Sequence, residues 1–223
     1  MRRKLYQQLV DWKRREKGAS ALLVQGARRV GKSYIVEEFA KAEYDSYILI
    51  DFNKAGGEVR DMFLHDLNDL DTFFLKLSTL YDTRLVTRRS LIVFDEVQLF
   101  PRARSAIKYL VADGRFDYVE TGTLMSIKKN VQDILIPSEE DSIDMFPMDF
   151  EEFCWALGNE TLVPFARDCF EARKPMGQAL HRKAMDMFRQ YLLVGGMPQA
   201  VEVYARARDF EKVDRVKRRI LKL

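Results

Sequence analysis

The chain has little of what several chemistries require. Two cysteines among 223 residues, Cys154 and Cys169, are too few for a disulfide scaffold and lack metal-ligand spacing. They read as reduced core thiols of a cytoplasmic protein. The two histidines, His65 and His181, fall in helical stretches with no acid or nucleophile beside them. No Ser-His-Asp arrangement and no metal constellation emerges. No apolar run approaches the length of a membrane span, and the basic start is followed by no apolar signal-peptide stretch, so no membrane association is expected. Internal repeats and low-complexity segments are also missing, which removes solenoids and tails. A dominant charge is lacking too: 37 Lys and Arg against 34 Asp and Glu leave +3, which does not by itself point to nucleic acid.

What remains suits a folded domain. Hydrophobic residues make up 47% and charged residues 32%, enough for a proper core and a charged surface. The length fits one large domain, or one domain plus a small one. Charge is uneven: Arg2-Arg3-Lys4, Lys13-Arg14-Arg15 and Lys217-Arg218-Arg219 load both ends, while Glu139-Glu140-Asp141, Asp144, Asp149 and Glu151-Glu152 form an acidic middle. Solvated helix faces are the plain reading of each run.

The most informative stretch is Gly26-Ala27-Arg28-Arg29-Val30-Gly31-Lys32-Ser33, a G-x-x-x-x-G-K-S phosphate-binding loop. Before it, Ala21-Leu22-Leu23-Val24-Gln25 reads as a buried strand. After it, Ile35, Val36 and Phe39 keep helical spacing. The glycines let backbone amides turn towards phosphate oxygens, and the helix N-terminus adds partial positive charge. Lys32 is placed to reach the β- and γ-phosphates of ATP, and Ser33 to ligate Mg2+.

Further along, 46–52, 90–95 and 118–122 read as strands and 142–146 as a possible fifth. Helical patterns cover 4–17, 58–65, 70–81 and 102–113. Alternation of this kind predicts an α/β fold, a parallel sheet flanked by helices, with ligands at the carboxyl ends of the strands. Beyond Pro147 the texture turns all-helical, with helices over 150–157, 161–173, 177–193, 198–207 and 209–222. The expected division is therefore a core domain at 1–148 with an N-terminal helix, and a small helical lid at 149–223. The last helix shows no stop signal, so the natural protein is expected to continue.

Asp95-Glu96, directly after four apolar residues, supplies the acids: Asp95 to hold Mg2+ opposite Ser33, Glu96 to orient or deprotonate an attacking water. Thr121 ends the next strand. Two readings stand for it, a sensor of the γ-phosphate or a loop-start threonine making a local backbone bond. Glu120 is expected to pair with a nearby arginine. Gly195-Gly196-Met197-Pro198 breaks two helices, either as a simple turn or as one that packs on the adenine, with Pro198 suited to a first helical turn. No arginine finger can be assigned; Arg28, Arg102, Arg104 and Arg115 are the candidates by location.

These motifs, with Glu120-Thr121-Gly122-Thr123 and Phe146-Pro147-Met148-Asp149-Phe150-Glu151-Glu152-Phe153, resemble the prokaryotic AAA-type ATPases that carry a DUF4143-type C-terminal region. Order and spacing match over nearly the whole chain, and the Pro-x-x-Phe-Glu-Glu-Phe and Gly-Gly-x-Pro pieces discriminate better than the phosphate loop. The resemblance implies ATP and Mg2+ binding, a P-loop sheet ordered 5-1-4-3-2, and a helical lid whose Pro198 contacts nucleotide. Thr123 stands where that family often has serine, and its further C-terminal region is not in this sequence. Three functions follow as expectations: an ATPase, slow in isolation; a nucleotide-dependent switch with little intrinsic turnover, whose lid exposes a partner surface; or a DNA-associated ATPase. A small-molecule kinase ranks below these, because Glu96 follows Asp95 directly. Self-association would be one way to complete the site.

Overall fold

The structure is a computed structural model that describes residues 1–123 and 140–222. Glu139 and Leu223 lie outside the described residues. The chain divides into two compact units: Leu5–Met145, and Met1–Lys4 together with Phe146–Leu223.

The first unit holds β1 (Ala21–Gly26), β2 (Ser46–Asp51), β3 (Ser90–Asp95), β4 (Asp117–Thr123) and β5 (Glu140–Met145), with helices α1 (Leu5–Glu16), α2 (Lys32–Glu43), α3 (Gly57–His65), α4 (Leu70–Leu80) and α5 (Pro101–Asp113). All strand pairs are parallel. The sheet runs β2-β3-β4-β1-β5, the order the resemblance implied. β5 begins two residues before the expected 142. β3 is buried at every residue, as a central strand covered on both faces must be.

Alternation along the strands sends successive side chains to opposite faces. Leu23, Ile48, Ile50, Ile92, Phe94 and Tyr118 face a core closed by α3, α4 and α5. Phe63 meets Phe52, Phe73 and Phe94 at ring centroids 5.2–5.8 Å apart, all edge-to-face, the geometry that aromatic quadrupoles favour. The alternate residues Leu22, Val24, Leu91, Val93 and Val119 are fully buried on the other face, where α2 meets the sheet and α1 packs on α2.

The second unit holds α6 (Phe150–Ala156), α7 (Leu162–Glu171), α8 (Gln178–Val194), α9 (Pro198–Ala207) and α10 (Phe210–Leu221). Asp149 opens α6 with a full capping box: its side chain accepts from the Glu152 amide, and the Glu152 side chain accepts from the Asp149 amide. Phe153, Val194, Ala200, Val201, Tyr204 and Val213 form its core. Cys154 is buried here, but Cys169 is only partly covered, because α7 buries just one residue, Leu162; Cys169 is therefore not a core thiol.

The first four residues belong to this unit. The Arg2 guanidinium lies 4.3 Å from the centre of the Trp155 ring. Arg3 pairs with Glu152 at 3.2 Å, with both side chains only 6% exposed. Lys4 pairs with Asp149 at 2.6 Å and Glu151 at 2.7 Å. The Arg2-Arg3-Lys4 run is thus paired with the acidic start of α6 and with Glu160; Arg2 and Lys4 stay exposed, as expected of a solvated run, and Arg3 alone is buried.

Candidate active site

The phosphate loop follows β1. A Cβ on Gly26 would lie 2.2 Å from the Met145 carbonyl oxygen, so glycine is what lets β1 pair with β5 at its last residue. Gly31, at φ 97° and ψ 25°, precedes α2 in the left-handed region, where a side chain is penalised. Arg29 also has a positive φ of 66°. Val30 is fully buried beneath the loop.

Lys32 is 4% exposed. Its Nζ donates to the Gly26 carbonyl at 3.2 Å and the Ala27 carbonyl at 2.9 Å. Burial lowers its pKa from the ordinary lysine value, opposed by the nearby Glu96 and Asp95 carboxylates and reinforced by Arg28. The ammonium is thus held at the loop mouth by its own loop's carbonyls.

The acids meet the loop from β3. Ser33 Oγ donates to Asp95 Oδ1 at 2.7 Å, and Thr121 Oγ1 donates to the same oxygen. Thr121 Oγ1 also accepts from the Glu96 amide at 3.2 Å. Thr121 thus bonds the Asp95 carboxylate and the Glu96 backbone, joining the end of β4 to the end of β3. Glu96 sits in the left-handed region, at φ 56° and ψ 44°, a conformation that costs a non-glycine residue about 1–2 kcal/mol. A cleft of about 420 Å³ opens here, lined by Arg28, Asp51, Asn53, Asp95, Glu96 and Gln98 among others.

So Gly26 through Ser33, Asp95, Glu96 and Thr121 converge within the sheet unit. Pro198 opens α9 in the helical unit. There Gly196 is held against Met148: the Met148 amide donates to the Gly196 carbonyl at 2.7 Å, and a Cβ on Gly196 would lie 2.1 Å from Met148 oxygen. The two discriminating motifs, Pro147 onward and Gly195 to Pro198, are packed against each other.

Sequence reasoning missed Asp51, Asn53 and Gln98. Asp51 had a signal, since it ends a strand as Asp95 does and pairs with it in register. Gln98 had none. Of the arginine candidates, Arg104 is tied to Glu140 at 2.7 Å with Glu120 at 3.9 Å, and Arg115 to Asp71 and Asp113. Arg102 Nε donates to the Phe63 carbonyl at 3.5 Å, and Arg28 lines the cleft.

Among the described residues, no three His, Cys, Asp or Glu side chains form a metal cluster. A Ser hydroxyl and one carboxylate suit a hard cation that takes its other ligands from phosphate and water, as Mg2+ does.

A family profile described as AAA domain matches residues 19–154, more than half of the chain. The chain belongs to the AAA domain family. No curated protein matches the chain in sequence. Among solved structures it is similar to the Walker-type ATPase PABY2304 of Pyrococcus abyssi, with TM-score 0.56 and 15% identity, over 99% of this chain and 72% of that one. The Aeropyrum pernix ORC1 protein, solved in complex with DNA, gives TM-score 0.47 and 15% identity over 96% of this chain and 64% of its own. PCH-2 of C. elegans gives 0.48 and 13% over 97% and 68%. The chain therefore spans less than two thirds of the ORC1 chain and somewhat more of the other two. At such identities the likeness is one of fold. No helix among the described residues is long and apolar enough to cross a membrane.

Proposed function

We propose that this AAA domain binds ATP with Mg2+ and hydrolyses it slowly in the cytoplasm, using the energy to drive or report a conformational change. The observation that carries the reading is the 2.7 Å hydrogen bond from Ser33 Oγ to Asp95 Oδ1, which puts two oxygen donors for a hard cation at the mouth of a phosphate loop. In this reading the loop amides from Gly26 to Ser33 bind the phosphate oxygens, and the Lys32 ammonium turns from its own carbonyls to the β- and γ-phosphates. Ser33 and Asp95 hold the cation, which when bound supplies positive charge against the phosphate oxygens. Glu96 accepts the proton of the attacking water or orients it, and Thr121, bonded to Asp95 and to the Glu96 amide, senses the γ-phosphate. Pro198 and the turn before it are nucleotide contacts in this reading, as the family resemblance implies. The DUF4143-type kinship and a protein partner reached through the lid belong to the same reading.

A second reading, a nucleotide-dependent switch with little turnover, is favoured by the arginines. Arg104 and Arg115 are spent on acids of their own unit, and an arginine finger is worth about a thousandfold or more in rate. A second copy supplying one would reconcile the two. The DNA-associated alternative is weakened by the ion pairs that engage Arg2, Arg3 and Lys4.

The test is ATP turnover with Mg2+ across a range of protein concentrations, beside Lys32→Ala and Glu96→Gln. Turnover rising faster than concentration, and lost in both variants, supports an ATPase completed between copies. Binding without turnover at any concentration supports the switch. Turnover undiminished in Glu96→Gln would remove Glu96 from the mechanism.

A further inference from the structure

Glu96 carries its carboxylate on a backbone in the left-handed region, and its amide is bonded to Thr121. Its side chain is held as well. Gln98 Nε2 donates to Glu96 Oε2, and Gln98 Oε1 accepts from the Thr123 amide at 3.3 Å. The second bond decides how the first is made. A backbone N–H can only donate, so it selects the amide oxygen of Gln98, and the NH2 end must then face Glu96. Thr121 and Thr123 both lie on β4. One strand end therefore holds the Glu96 backbone directly and the Glu96 carboxylate through Gln98.

We propose that Gln98 is a positioning residue, aiming the Glu96 carboxylate into the cleft and coupling its direction to the end of β4. This rests on Glu96 being the residue that acts on water. Gln98 touches no phosphate in this scheme; it acts through Glu96. Movement at the end of β4 reaches Glu96 by two routes, from Thr121 to the Glu96 amide and from Thr123 through the Gln98 side chain to the carboxylate.

Two variants separate this role from simple capping of β4. Gln98→Met removes both bonds at similar length. Gln98→Glu keeps an oxygen for the Thr123 amide but sets a carboxylate against Glu96. Capping alone predicts that Gln98→Glu behaves as the parent. Positioning predicts that both variants lose about tenfold or more in kcat, the scale of a hydrogen bond to a charged group, while Mg-ATP Kd stays within about twofold. An activity-free readout runs beside it: the Gln98 side-chain NH2 signals in 1H–15N NMR should shift in Glu96→Ala, without nucleotide. Parent-like kcat in Gln98→Glu, or NH2 signals unmoved by Glu96→Ala, overturns the proposal. If the parent itself never turns over, the hydrolytic reading fails, and the NMR result alone decides whether Gln98 holds Glu96.

Discussion

Glu120 shows at the scale of one residue what burial does to a carboxyl. It is wholly inside β4, with neither oxygen satisfied as an acceptor among the described residues, while the Arg104 guanidinium is taken by Glu140. The expected arginine partner is present but serves Glu140 first. Burial, then the neighbouring Glu140, push the Glu120 pKa well above the usual 4.5; a protonated Glu120 can donate to the Glu140 carboxylate, which two ionised acids cannot do. A folded value above the unfolded one means that the folded chain binds the extra proton. The associated stability is complete below the unfolded value and is lost as pH rises above it. Glu120→Gln, neutral at all pH, should therefore melt higher than the parent near pH 8 and almost equally near pH 5, with about 2–4 °C for each kcal/mol relieved. Melting curves at the two pH values check this, and a difference independent of pH would contradict it. Gly196 is a second single-residue case. Because the atom in the way of its missing Cβ is backbone oxygen, Gly196→Ala should cost about 1–3 kcal/mol by overpacking, read by denaturant unfolding of the helical unit.

Among the elements, the start of the chain is the least expected. Its basic residues looked like a solvated run, yet Arg3 is buried against Glu152 and donates to the Phe146 carbonyl at 2.7 Å. Removing one partner of a buried pair strands the other. Glu152 keeps its bonds from the Lys4 and Asp149 amides, so Arg3→Ala should cost about 3 kcal/mol, the lower end for such a break. Hydrogen exchange should show the loss in α6; α6 protection equal to the parent would count against a structural role for the Arg3–Glu152 pair. The helices and strands themselves were legible from periodicity, because a covered strand such as β3 is apolar throughout and amphipathic helices repeat every three to four residues. Their ends were legible where a cap marks them, as at Asp149 and at Gly114, which closes α5 at φ 73°.

For the whole molecule, ligand linkage is the broadest test. A nucleotide that binds only the folded state stabilises it by about 2.7 kcal/mol at a hundred times its Kd, or about 5–11 °C in Tm at this chain length. Mg-ADP should produce that shift in the parent and not in Lys32→Ala. Equal shifts in both would separate binding from the phosphate loop.

The phosphate loop, the acids after an apolar strand and the alternation of elements were decided by the sequence alone. Each is a local pattern in which neighbouring residues carry the whole signal. Tertiary structure decided the rest, because it joins residues that the chain keeps far apart. It brought Thr121 onto Asp95 and Gln98 between Glu96 and Thr123. It set Gly26 against β5, and it turned Arg3 from a surface charge into a buried partner of Glu152. Hydrogen bonds and close contacts between distant segments leave no period or spacing in a sequence, so only the fold reveals them.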